Sequence, residues 1–186
     1  VLAPANVAPI VSEGLYADRN MAVGSGEFMP TPDVALSVGL VTRAACERIA
    51  RSAFDAARDR RGHVTVVHKA NVLRLTTGLF RDVCLEVARE YPDVTVDQQH
   101  VDAMAALLVR RPADFDVIVT ENLFGDILSD LAAELSGSLG IAASINCSDD
   151  RVMAQAVHGA APDIAGQGKA DPIAMIGSTA LALDRR

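Results

Sequence analysis

The stretch Asn122-Leu123-Phe124-Gly125-Asp126-Ile127-Leu128-Ser129-Asp130 decides how this chain is read. It follows Phe115-Asp116-Val117-Ile118-Val119-Thr120, an apolar run with β-branched residues that predicts a buried strand. Asp126 and Asp130 lie four apart, so a helix carries both carboxylates on one face, about a turn apart. Like charges so placed repel by a few tenths of a kcal/mol. A divalent cation reverses the sign of that interaction. Mg²⁺ and Mn²⁺ are hard ions that take carboxylate oxygens, and Mg²⁺ uses only one or two from protein, leaving positions for substrate and water. Gly125 is read as the turn from strand into helix. Acids just beyond the carboxyl end of a strand lie where open α/β sheets place ligands. The residues alone also admit a plainer role, as first-turn acids favoured by the helix dipole.

Working outward, the same alternation recurs. Thr42 predicts an N-cap for a helix running to 58, with Ala45, Ile49, Ala53, Phe54 and Ala57 near helical spacing. Val64-Thr65-Val66-Val67 predicts a short buried strand ending at His68-Lys69-Ala70-Asn71. A second amphipathic helix spans 77–91, turning Phe80, Val83, Cys84, Val87 and Ala88 inward, and Pro92 bars its continuation. Val94-Thr95-Val96 predicts a strand and 102–109 a helix that ends before Pro112. Strands alternating with helices indicate an α/β sheet, at least partly parallel. Before it, 17–33 is rich in Gly and Pro and predicts a hairpin-like excursion, followed by a strand-like run at 34–40. Ser136-Gly137-Ser138-Leu139-Gly140 marks a crossover and a domain boundary. Beyond it come a long Gly/Pro loop at 158–168 and a final apolar helix that opens at Pro172.

Composition narrows the function. With 186 residues, half of them hydrophobic, the chain can bury one normal core. A net charge of −7 argues against nucleic-acid and anionic-membrane partners, which need basic patches. Cys46, Cys84 and Cys147 are widely spaced and odd in number, so they suit packing in a reducing cytoplasm better than a disulfide framework. No apolar run reaches the roughly 18 residues that span a membrane. The apolar start, broken by Pro4 and Pro9 with no basic region ahead, is a poor signal peptide. Opening at Val1 rather than Met leaves room for sequence upstream. His63, His68 and His100 have no metal-like spacing and are read as structural.

Four blocks then carry a resemblance: Glu13-Gly14-Leu15-Tyr16, His68-Lys69-Ala70-Asn71-Val72-Leu73, Val101-Asp102-Ala103-Met104 with 122–130, and His158-Gly159-Ala160-Ala161-Pro162-Asp163-Ile164-Ala165-Gly166. In their order and spacing they resemble the isocitrate/isopropylmalate dehydrogenase family from about residue 10 to the C-terminus. The resemblance implies an incomplete α/β fold of that family: a dimerisation, metal and substrate domain over 1–136, with an intersubunit clasp at 17–33, and the C-terminal part of the nucleotide-binding domain over 137–186. It implies oxidative decarboxylation of a 2-hydroxy di- or tricarboxylic acid, with hydride transfer to NAD and a divalent metal, Mg²⁺ or Mn²⁺, in a cytoplasmic homodimer.

The resemblance also assigns roles. Lys69 corresponds to the lysine that helps deprotonate the substrate hydroxyl, and Tyr16 to the tyrosine that protonates the enol after CO₂ departs. Asp102, Asp126 and Asp130 correspond to the metal-binding acids, with Lys69 and Asp102 of one subunit completing a site that holds Asp126 and Asp130 of the other. Asn71 corresponds to an asparagine near substrate and nicotinamide. His158, Gly159, Ala160, Ala161, Asp163 and Ile164 correspond to the adenosine-binding loop, with Asp171 where an asparagine commonly contacts adenine. An acid at Asp163 accepts hydrogen bonds from a ribose 2′-OH and repels a 2′-phosphate, which implies NAD rather than NADP. The sequence also departs from the pattern. The family's long N-terminal segment has no counterpart in this sequence, Pro9 stands where an arginine is usual, Ala160 replaces a hydroxyl residue and Gln155 an upstream glutamate. Two readings therefore stand: part of an NAD-dependent decarboxylating dehydrogenase, or a truncated, non-catalytic relative acting as a dimerisation, binding or regulatory partner.

Overall fold

One strand, β3 (His63–His68), carries the central layer. Every residue from Val64 to His68 is buried, as expected of a run that is apolar on both faces. The structure is a computed structural model that describes residues 26–148 and 150–184. In it β3 pairs in parallel with β4 (Thr95–His100) on one side and β5 (Val117–Thr120) on the other. The register sets His68 opposite His100 and Val67 opposite Thr120, so the carboxyl ends of the three strands are level. Parallel strands need crossovers, and helices supply them. Helix α1 (Arg43–Arg58) precedes β3, α2 (Thr76–Ala88) links β3 to β4, α3 (Val101–Arg110) leads on from β4, and α4 (Asn122–Leu135) follows β5.

The helices cover both faces. Helices α1 and α2 bury Ile49, Phe54, Phe80, Val83 and Val87 against Val64, Val66 and Val119. On the other face Met104 and Leu108 of α3 and Leu128 of α4 pack with Val67 and Phe115. The Thr42 hydroxyl caps α1 by accepting the Ala45 N–H at 3.3 Å. Helix α2 ends at Ala88, three residues short of the sequence expectation. The amides of Glu90 and Tyr91 donate to the carbonyls of Val87 and Ala88, a tighter i→i+3 pattern that turns Tyr91 inward. There its ring stacks on Phe54 at 5.1 Å, lies 4.4 Å from the Arg58 guanidinium, and its hydroxyl donates to Asp55 at 3.0 Å.

The strand expected over 115–120 starts at Val117 instead, because Asp116 turns inward. Its carboxylate is 2% exposed and accepts from Arg60 Nε and the Arg61 amide, each at 2.9 Å. The Arg61 guanidinium in turn donates to the Ala113 carbonyl at 2.8 Å and to that of Phe115.

Two hairpins flank this layer. Strands β1 (Glu27–Thr31) and β2 (Val34–Ser37) pair antiparallel across Pro32-Asp33, and every residue of both is exposed, Phe28, Met29, Val34 and Leu36 included. This lies within and just beyond the expected excursion, whose residues 17–25 fall outside the described residues. Strands β6 (Ala143–Cys147) and β7 (Val152–Ala156) form the second hairpin, which the sequence pattern does not announce because its residues are small and polar as often as branched. Helix α5 (Ile173–Asp184) lies on it. The buried Ser178 hydroxyl accepts the Ser144 N–H at 2.9 Å and lies within donating distance of the Gln155 and Ala174 carbonyls. Gly177 permits this approach, since a Cβ there would lie 3.0 Å from that of Ala143. Cys46 and Cys84 are buried packing residues, and Cys147 is half-buried.

Burial pushes the Asp116 carboxyl up, but Arg60 and the Arg61 amide outweigh it and hold the group below its ordinary value. A carboxyl depressed in the folded state stabilises above its unfolded pKa, and that stability is lost as pH falls through the folded value. Asp116→Asn is therefore expected to lower stability at pH 7 by about 1–3 kcal/mol. The gap between wild type and variant should narrow below about pH 4. Urea denaturation at pH 7 and pH 3 checks this, and an equal gap at both would contradict it.

Candidate active site

The level strand ends bring two of the expected residues together. Lys69 follows β3 directly and Asp102 lies in the first turn of α3, just past β4. Lys69 Nζ donates to Asp102 Oδ1 at 2.5 Å, with the lysine side chain 24% exposed and the aspartate 67%. Lys69, through this hydrogen bond first, holds the Asp102 carboxyl below its ordinary value. The N-terminal end of α3 also favours an acid there. Asp102 does not act as the N-cap, a position held by His100 without a side-chain bond. Asn71 is exposed in the turn after Lys69.

The other two acids sit on α4. Asp126 and Asp130 are exposed one turn apart while Leu128, Ser129, Ala132 and Ala133 face inward. The expectation that Gly125 forms the turn is corrected. Glu121, with φ −72° and ψ 165°, is the N-cap, α4 begins at Asn122, and the Gly125 amide donates to the Glu121 carbonyl at 2.9 Å inside the helix. The turn falls earlier because Glu121 keeps the extended backbone of β5. Paired carboxylates are the donor chemistry a hard divalent cation takes. Among the described residues, however, no three acidic, histidine or cysteine side chains gather where a metal could be held. One copy of the chain thus joins Lys69 to Asp102 but does not collect Asp102, Asp126 and Asp130 at one point. Tyr16 lies outside the described residues.

Sequence reasoning passed over Glu121 at this rim and read His68 only as structural. Glu121 is half-buried at the end of β5, and burial pushes its carboxyl above its ordinary value. His68 is buried at the end of β3, 5.2 Å from the His100 ring. Their position directly after apolar strands was the available signal.

The glycine-rich loop is ordered by its own bonds. His158 Nδ1 donates to the Gly159 carbonyl at 2.9 Å and Gln167 Nε2 to that of Asp163 at 2.8 Å. Ala161, at φ 42°, adopts the left-handed conformation ahead of a short 3₁₀ turn over Pro162–Ile164. Such a conformation costs a residue with a Cβ about 1 kcal/mol or more. His158, Gly159, Ala160, Ala161 and Asp163 are exposed and Ile164 is half-buried. Asp171 Oδ1 accepts the Ile173 N–H at 2.9 Å, so it caps α5.

Residues 11–186 match the family described as isocitrate/isopropylmalate dehydrogenase. The chain belongs to that family. Over 176 residues it is 48% identical to the 3-isopropylmalate dehydrogenase of Corynebacterium diphtheriae, covering 92% of this chain and 51% of that protein. Over 145 residues it is 54% identical to the 3-isopropylmalate dehydrogenase of Archaeoglobus fulgidus, covering 77% and 44%. The isocitrate dehydrogenase of Methylococcus capsulatus superposes with a TM-score of 0.84 at 49% identity, over 93% of this chain and 50% of that one. The chain spans about half the length of the curated relatives it matches. An α/β layer carrying Lys69 and Asp102 at adjacent strand ends, with a paired-acid helix on the third strand, is thus a member of this family in both sequence and fold.

The helical position of Gly125 has a direct consequence. A Cβ there would meet only Thr120 Cγ2, at an ordinary 3.5 Å. Gly125→Ala is expected to raise stability by roughly 0.5–1 kcal/mol, because glycine in a helix interior loses more chain entropy on folding. A lower urea midpoint for the variant would restore the turn reading.

Proposed function

We propose that this chain forms part of an NAD-dependent decarboxylating dehydrogenase acting on a 2-hydroxy acid with a malate core, 3-isopropylmalate first among them. The observation that carries this is the Lys69–Asp102 pair at the level ends of β3 and β4, beside the strand that leads into the acids of α4. The names of the relatives support the substrate class.

In this reading Lys69, in its neutral amine form, would accept the proton of the substrate hydroxyl at Nζ, and a bound NAD would take up the hydride from the same carbon. The carboxylate on the neighbouring carbon departs as CO₂, and the Tyr16 hydroxyl returns a proton to the carbon it leaves. Asp102 holds the Lys69 side chain in place before substrate arrives. Asn71 lies at the substrate and nicotinamide. Asp126 and Asp130 of one copy and Asp102 of a second would hold Mg²⁺ or Mn²⁺, which would supply Lewis acidity toward the substrate hydroxyl. The loop at 158–164 and Asp171 take the adenosine, with Asp163 on the ribose hydroxyls. Residues 1–136 then form the dimerisation and catalytic domain, and 137–186 part of the nucleotide domain. The apolar, fully exposed β1–β2 hairpin supports a homodimer, since such a surface is an interaction site more often than a free one. No helix among the described residues is long and apolar enough to cross a membrane.

Asp126→Asn is expected to weaken Mn²⁺ binding by roughly tenfold or more, as losses of metal-site groups do. Unchanged affinity by calorimetry would remove the metal assignment. NAD is expected to bind more tightly than NADP, and Asp163→Lys to shift the ratio toward NADP. A ratio that stays put would exclude Asp163 from the ribose. Turnover with Mn²⁺, NAD and a panel of malate-core acids tests the activity itself.

A further inference from the structure

The backbone around Lys69 is tied on every side by groups that the reaction does not use. The Lys69 N–H donates to Thr77 Oγ1 at 3.2 Å, and the same hydroxyl donates to the Leu73 carbonyl at 3.0 Å. The Lys69 carbonyl accepts the amides of Val72 at 3.0 Å and Leu73 at 2.9 Å. The next amide, that of Ala70, donates to His68 Nδ1 at 3.1 Å. A ring nitrogen that accepts an amide proton carries none of its own, so Nε2 bears the hydrogen and donates it to Gln98 Oε1 at 3.1 Å. His68 and Thr77 are 4% and 2% exposed. Burial, before any neighbouring charge, lowers the His68 pKa and so favours this neutral ring.

These bonds share one feature. They come from three elements: Thr77 on α2 accepts the amide of Lys69 itself, His68 at the end of β3 accepts the next amide, that of Ala70, and Gln98 on β4 holds the His68 ring. A strand end needs only its own amides satisfied, and a buried, tautomer-fixed imidazole is more than that task requires. We propose that His68, with Gln98 and Thr77, is a positioning residue that sets where Lys69 Nζ lies. Its catalytic meaning rests on the reading of Lys69 as the proton acceptor. The clamp itself does not.

The chain has two lysines, Lys69 and Lys169, so trace acetylation with limiting acetic anhydride, read by peptide mass spectrometry, carries its own internal control. Asp102→Asn, which removes the partner, gives the ratio of Lys69 to Lys169 labelling for an unpaired Lys69. Asparagine accepts the N–H two residues on, as in an Asx-turn, so it replaces Nδ1. Glutamine and leucine at 68 do not. His68→Gln and His68→Leu are expected to raise the ratio roughly two- to fivefold, the span that an exposed ion pair allows, while His68→Asn keeps it near wild type. Thr77→Val should raise it and Thr77→Ser should not. If His68→Leu loses its far-ultraviolet helix signal, the asparagine and glutamine variants carry the comparison. Equal ratios for those two, or an Asp102→Asn ratio equal to wild type, would overturn the proposal. Labelling needs no substrate or cofactor, so failure of Mn²⁺ and NAD to bind would defeat the dehydrogenase reading while leaving the clamp intact.

Discussion

Burial of β3 on both faces is the constraint on which the rest depends. A strand with Val64, Thr65, Val66, Val67 and His68 all out of water must be hydrogen-bonded along both edges, since an unpaired buried amide or carbonyl costs about 1–3 kcal/mol. Strands β4 and β5 meet that demand in parallel, and parallel pairing forces each connection through a helix. The helices then have no choice of face, because apolar side chains stand out from both sides of the strand. Small residues do much of this packing: Ala45, Ala50, Ala53 and Ala57 let α1 approach closely, and Phe54 fills the gap beside Tyr91.

Aligned strand ends convert that packing into a site. Side chains that would be remote in sequence, 33 residues apart for Lys69 and Asp102, meet because β3 and β4 stop at the same level. The opposite rim is held by buried Asp116 and its two arginines. Along the surface Arg43 of α1 pairs with Glu86 of α2, and Arg51 and Arg58 pair with Glu90 and Asp93 in the turn beyond α2. Exposed pairs of this kind contribute little stability, so they serve to align helices that the core already holds.

The remaining surface has a different character. The β1–β2 hairpin buries none of its residues, and α5 turns Ile173, Ile176 and Leu183 outward while Ala174 and Ser178 hold it to the β6–β7 hairpin. Two-stranded hairpins are marginal alone. The β6–β7 hairpin is covered by α5, whereas the apolar side chains of the β1–β2 hairpin stand exposed among the described residues.

From its residues alone the chain determined the alternation of elements, the inward face of α1, the cap at Thr42 and the two acids one turn apart on α4, because each is set by neighbours within a few positions. Order and spacing of four short blocks also sufficed to place it in its family. What they left open was whatever depends on distant partners. The start of β5 moved because Asp116 found Arg60 and Arg61, the end of α2 because Tyr91 found Phe54, and the turn before α4 because Glu121 stayed extended. The β6–β7 hairpin formed from residues with little strand preference because α5 covers it. Only the tertiary structure set the Ala70 amide against His68 Nδ1 and Gln98 Oε1 against Nε2. A ring's tautomer is fixed by the groups that happen to face its two nitrogens, here an amide two residues on and a side chain from the adjacent strand.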